Sequence, residues 1–180
     1  MLAWGGGPLD ARLYEALYAG NHPHWLSLAR VFTVFGEPTL LVAAGFVVAA
    51  WLFYKGHRHL PTALLLIILS GRGLGEIQKY WIARARPDLE AHLVTVKTAS
   101  FPSGHATSSM IFYLTLALAL TAGTRWQAPV GAGAILLSLL IGISRVMLGV
   151  HWPSDVIGGW AFGLLWVMLT LRLAERWLKN

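Results

Sequence analysis

Residues 129–173 read PVGAGAILLSLLIGISRVMLGVHWPSDVIGGWAFGLLWVMLTLRL, two long apolar runs joined by a segment that gathers arginine, histidine, serine and aspartate. A helix needs about 20 mostly apolar residues to cross a bilayer, and both Pro129 to Leu148 and Pro153 to Leu173 supply them. Pro153 suits the first turn of the second run, where the missing N–H costs no intrahelical bond. The stretch therefore predicts two membrane helices with a polar junction at one membrane face.

The same test, applied outward, finds three more spans. One runs from Pro38 to Tyr54 and stops at Lys55-Gly56-His57-Arg58-His59, where charge makes burial in hydrocarbon costly. The next runs from Pro61 to about Trp81, with Arg72, Glu76 and Lys79 in its later half, and the third from Ser103 to near Ala122. Before them, Leu9 to Gly36 mixes Leu13, Leu17, Trp25, Leu28, Val31, Phe32 and Phe35 with Arg12, Glu15 and Arg30, and breaks at Asn21-His22-Pro23. Neither half is long enough to cross, so amphipathic helices in the interface or against the bundle are expected. The fold predicted is all-α: a polytopic membrane helix bundle with five transmembrane helices plus N-terminal interfacial helices, a sixth, tilted span being the alternative. Residues 1–37 form the amphipathic region and 38–180 the membrane-embedded core.

Composition agrees. The 180 residues are 56% hydrophobic and 12% charged, about half the charge of an ordinary soluble domain. A net charge of +6 could suit nucleic acid, but the basic residues are scattered among apolar helices, so lipid headgroups and phosphates are the better partners. Cysteine is absent, which removes disulfide and thiol chemistry. Met1 to Pro8 lacks a basic region followed by an apolar run, so no cleavable signal peptide is expected.

Counting spans places three polar segments on one membrane face: Lys79 with Arg86-Pro87, Pro102 to His105, and Ser144 to Asp155. Arg72, Glu76 and Lys79 follow i, i+4, i+7 spacing and share a helix stripe. A lipid-facing charge at depth is costly, so this stripe faces inward, with Arg72 and Glu76 read as a structural ion pair. Lys79 at the helix mouth and Arg86 seven residues on are two cations suited to a phosphate. Phe101-Pro102-Ser103-Gly104-His105 opens an apolar helix whose first N–H groups have no intrahelical acceptor and form an anion site. The plainer reading is that Ser103 merely caps the helix. His105, beside that pocket, is placed to donate a proton to a departing oxygen. Arg145 near a span's end needs an anion. Asp155, four residues after His151, can hold the ring's Nδ1–H and leave Nε2 as a nucleophile, or can simply favour the helix dipole behind Pro153.

Together these segments resemble the type 2 phosphatidic acid phosphatase superfamily, in its membrane lipid phosphatase branch. The family's pattern is Lys, six residues, Arg-Pro; then Pro-Ser-Gly-His; then Ser-Arg, five residues, His, three residues, Asp. Lys79 with Arg86-Pro87, Pro102 to His105, and Ser144-Arg145 with His151 and Asp155 match it without departure. The resemblance implies that His151 attacks phosphorus to form a phosphohistidine, that Asp155 orients its ring, and that His105 protonates the leaving oxygen and then activates water. It implies that Lys79, Arg86 and Arg145 neutralise the phosphoryl oxygens, with Ser103 and the Gly104 N–H completing the cradle and no metal or other cofactor required. Arg84 lies outside the motif, and a second phosphate or headgroup is its expected partner.

Two other functions fit less well. His105, His151 and Asp155 could ligate zinc, but the surrounding cations disfavour a divalent ion. A transporter or flippase would need polar groups along a path through the bilayer, whereas these gather at one face. Orientation follows from Lys and Arg in short loops. The motif-free side carries Lys55, Arg58, Arg125, Arg172, Arg176 and Lys179. Arg12, Arg30, Arg84 and Lys97 lie on the motif side, where Lys79, Arg86 and Arg145 are discounted as chemistry. The expected placement is an inner (plasma) membrane protein with its active site on the periplasmic or extracytoplasmic face. By family analogy undecaprenyl diphosphate ranks first as substrate, then phosphatidylglycerophosphate, phosphatidate or a lipid A phosphate.

Overall fold

Proline punctuates this chain: Pro8, Pro23, Pro38, Pro61 and Pro153 each stand in the first turn of a helix, where a fixed φ is preorganised and no hydrogen bond is lost. The computed structural model describes residues 6–178, the last five by backbone alone. Met1 to Gly5, the side chain of Arg176, and Lys179, all used in the sequence reading, lie outside the described residues. The helices are α1 (Pro8–Leu17), α2 (Pro23–Phe35), α3 (Pro38–Tyr54), α4 (Leu60–Ile82), α5 (Gly104–Leu120), α6 (Gln127–Met147) and α7 (Pro153–Leu178).

α5 is the axis of the bundle, packed against α3, α4, α6 and α7. Its Met110, Ile111, Phe112 and Leu114 meet Leu41 and Leu52 of α3, Leu64, Ile67 and Ile68 of α4, and Val167 of α7 in one apolar core. Close approach between α6 and α7 depends on Gly142, where a Cβ would stand 2.4 Å from the Trp160 ring. The indole Nε1 there donates to the Ser138 carbonyl at 2.9 Å. The outer surfaces are as apolar as the core: Val47, Leu66 and Leu165 are each more than 60% exposed. In α7 only 22% of the apolar window is buried within the bundle, which in water would be an untenable apolar surface and in a bilayer is the lipid-facing one.

Three helices, α4, α6 and α7, are individually long and apolar enough to cross a membrane. α2 and α3 pass that test only as a pair, bent by 43° at the break before Pro38, and α5 is a shorter apolar helix. The bundle is thus less uniform than five equal spans. The N-terminal segment is docked on it: α2 runs along α6, and α1 touches α6 and α7.

Candidate active site

A cavity of about 420 Å³ lies between the α2–α3 break, α4, the start of α5, the end of α6 with the turn after it, and the loop of residues 83–103. Lys79, Arg86, Gly104, His105, Arg145 and His151 all line it, so three sequence segments far apart in the chain do converge. Arg72 and Glu76 line it as well. They form the expected i, i+4 pair, at a loose 3.9 Å and partly exposed, so the pair belongs to the cavity wall rather than to a separate buried stripe.

Each cation is anchored through its charged head. Lys79, in the last turn of α4, is 7% exposed and donates from Nζ to the Ala99 carbonyl at 2.9 Å. Arg86 is fixed by the loop backbone, Nε donating to Thr98 O at 2.8 Å and Nη1 to Val150 O at 2.5 Å. Arg145 donates from Nη1 to Thr33 Oγ1 of α2 at 2.6 Å, while its buried Nε has no partner. Three cations around one cavity repel one another unless an anion enters, which makes the site an anion receptor by electrostatics alone.

His151 sits on the turn between α6 and α7, 2% exposed. Gly149 makes that turn possible: its φ is +78°, and a Cβ would meet the rings of Tyr14 and Tyr18 at 3.0 Å. Arg86 Nη1 stands 3.2 Å from His151 Nε2. A guanidinium only donates, so Nε2 is the unprotonated nitrogen and Nδ1 carries the hydrogen. Nδ1 faces Asp155 Oδ2 at 3.4 Å. Burial first, then the charges of Arg86, Arg145, Lys79 and His105, push the imidazole pKa well below the ordinary histidine value. The ring is neutral, with its lone pair directed at the cavity.

Asp155 is fully buried and heavily solvated by protein. Oδ2 accepts from Ser100 Oγ at 2.5 Å and from the Trp152 N–H at 2.9 Å, and Oδ1 accepts from Arg84 Nη1 at 2.5 Å. Here the sequence reading of Arg84 needs correction. It does not reach the cavity to meet a second phosphate or headgroup: it is 2% exposed, with Nη1 on Asp155 and Nη2 on Asp10 Oδ2 at 2.8 Å. Two carboxylates on the far side of the histidine outcompete the pocket for its guanidinium.

His105, in the first turn of α5, has Nε2 3.3 Å from Glu37 Oε2 at the α2–α3 break. Ser103 occupies the N-cap position, but its hydroxyl makes no capping bond. That hydroxyl is fully buried without a partner, and Ser103 stands behind the cavity wall that Gly104 and His105 form. The plain capping reading is therefore not what the side chain does. Among the described residues, Ser100, Glu37, Thr33 and Asp10 contribute to the site without having been expected. Each meets its partner across at least 50 residues of chain, and only Ser100 lies inside the motif region, two residues before Pro102.

Comparison with known proteins agrees with this arrangement. The chain is 34% identical over 171 residues to phosphatidylglycerophosphatase B of Bacillus subtilis, covering 93% of this chain and 84% of that protein. It is 35% identical over 122 residues to an undecaprenyl-diphosphatase of Sulfolobus acidocaldarius, covering 65% of this chain and 56% of the relative. Among solved structures, a transmembrane PAP2-type phosphatidylglycerolphosphate phosphatase from Bacillus subtilis superposes with a TM-score of 0.85 at 31% identity, covering 93% of this chain and 85% of that one. The PAP2 superfamily model matches residues 60–179, the stretch that supplies every cavity-lining cation and both histidines, and the chain therefore belongs to the PAP2 superfamily.

Proposed function

We propose that this membrane protein hydrolyses a lipid phosphate through a phosphohistidine on His151. The observation that carries the reading is the placement of the His151 ring: Nε2 stands beside Arg86 in a cavity that Lys79 and Arg145 also line, while Nδ1 is turned toward Asp155. Nε2 attacks phosphorus and the P–O bond to the lipid breaks. His105, held by Glu37, gives its proton to the departing oxygen. It then takes a proton from water, which attacks phosphorus, breaks the N–P bond and releases inorganic phosphate. The three cations and the amides at the start of α5, including that of Gly104, stabilise the charge on the phosphoryl oxygens.

The relatives' names span a monoester, phosphatidylglycerophosphate, and a diphosphate, undecaprenyl diphosphate. Family analogy ranks the diphosphate first. The withdrawal of Arg84 from the cavity removes one cation that a second phosphate would use, so a phosphatidylglycerophosphate-type monoester, named for the relative matched over 84% of its length, moves ahead. The charge distribution of the loops supports an extracytoplasmic site with the C-terminus inside. Counting the α2–α3 pair and α5 as membrane-crossing gives five passes.

The test is phosphate release by detergent-solubilised protein from a panel of phosphatidylglycerophosphate, phosphatidate, undecaprenyl diphosphate and a lipid A phosphate. Release that survives a chelator and disappears in His151→Ala supports the reading. Undiminished release by His151→Ala sinks it, and a clear preference for the diphosphate reverses the ranking.

A further inference from the structure

Asp10 is the carboxylate that the proposed chemistry does not use, and it lies in α1, outside the residues that the family model matches. Its side chain is largely buried and accepts three hydrogen bonds: from Arg84 Nη2 at 2.8 Å, from the Ser154 N–H at 2.9 Å and from Ser154 Oγ at 2.6 Å. Arg84 Nη1 also donates to Ser154 Oγ at 2.8 Å. Asp10, Ser154, Arg84 and Asp155 thus form one closed network, with His151 at its end.

The charge count explains what a second carboxylate does there. A buried guanidinium facing Asp155 alone would draw off the negative charge that must hold the Nδ1–H of His151 and stabilise the cationic ring formed when Nε2 bonds to phosphorus. With Asp10 on its other edge, Arg84 is shared between two acids, and Asp155 keeps more of its basicity. Asp10 also accepts from the Ser154 N–H in the first turn of α7, where a helix's N–H groups lack intrahelical acceptors, and so fixes the helix that carries Asp155. We infer that Asp10 is a positioning residue for the phosphatase reaction, acting through Arg84 on the Asp155–His151 pair. This rests on His151 being the nucleophile.

The groups facing His151 are Lys79 from α4, Arg86 from the loop, His105 from α5, Arg145 from α6 and Asp155 from α7; Arg84 faces Asp10. Loss of the Asp10 charge leaves this set more positive, so protonation of His151 becomes harder and the acid limb of kcat/KM moves to lower pH.

The experiment compares Asp10→Asn, Asp10→Glu, Tyr18→Phe and His151→Ala in the full-length solubilised protein, with p-nitrophenyl phosphate and a lipid monophosphate as substrates. Asp10→Asn is expected to lower kcat about tenfold or more, the scale of lost orienting partners behind a reactive histidine, with KM within about twofold and the acid limb shifted down. Asp10→Glu restores the charge and recovers part of kcat, which also keeps the test open if Asp10→Asn fails to fold. Tyr18→Phe removes an α1 anchor, the bond from Tyr18 Oη to Ala91 O at 2.9 Å, without touching the network, and leaves kcat and the pH profile unchanged. Folded Asp10→Asn with normal kcat overturns the inference, as does Asp10→Glu no better than Asp10→Asn, or Tyr18→Phe reproducing the same loss. An active His151→Ala would instead overturn the nucleophile itself.

Discussion

Arg84 shows how little a residue's type says about its role until its neighbours are known. In sequence it is one more cation near a phosphate motif, and the natural expectation is selective loss of diphosphate hydrolysis when it is removed. Buried between Asp155 and Asp10, it has a different consequence. Arg84→Ala leaves two carboxylates uncompensated and is expected to destabilise the protein by about 3 to 5 kcal/mol, with activity lost equally on monophosphates and diphosphates. Thermal unfolding in detergent, paired with kcat/KM on both substrate types, reads this directly. His151 was legible from its spacing to Asp155, because a four-residue step across a helix start is local geometry. Its electrostatic state was not, since the charges acting on it come from four separate elements. Burial and those cations depress its pKa, so in the free protein its imidazole stays neutral below the ordinary histidine range. A bound phosphate dianion offsets the cations and raises it again. The acid limb of kcat is therefore expected at higher pH than that of kcat/KM, once the substrate's own ionisation is subtracted.

At the scale of elements, apolar run length and proline located α3 and α4 to within a residue, α6 to within two and the start of α7, which runs five residues past the expected end, because the membrane imposes one dominant rule on each segment. The rule says nothing about how segments meet. The bend between α2 and α3 brings Glu37 to His105, and α1 reaches the α6–α7 turn through Tyr14, buried and donating to the Gly149 carbonyl at 3.4 Å. Burial, ahead of the charges of Tyr18, Glu90 and Asp88, raises the Tyr14 phenol to about 12, so it remains a donor throughout the working range. Gly149 carries that junction. With φ at +78° and the two tyrosines at 3.0 Å from any Cβ, Gly149→Ala is expected to cost about 1–2 kcal/mol from the left-handed backbone alone. Pushing the turn outward moves His151 away from Arg86. A lower midpoint of unfolding with a loss of kcat larger than the change in KM would bear this out, and unchanged kcat would separate the turn from the chemistry.

For the whole molecule, the residues that touch one cavity come from positions 33 to 151, and the contacts invisible to the sequence are the longest ones. The bond from the Ser154 N–H to Asp10 Oδ1 joins positions 144 residues apart. Such closures are late events, since loop entropy must be overcome before a distant contact gives anything back. They also follow the order of synthesis. α1 is made ahead of the other six helices described, and its partner Ser154 arrives only with α7. Because His151 precedes that helix while Asp155 lies within it, a nascent chain halted before α7 carries Lys79, Arg86, Arg145 and His151 but lacks the carboxylate that faces the His151 ring. The proposed phosphatase site is therefore complete only once α1 and α7 have met.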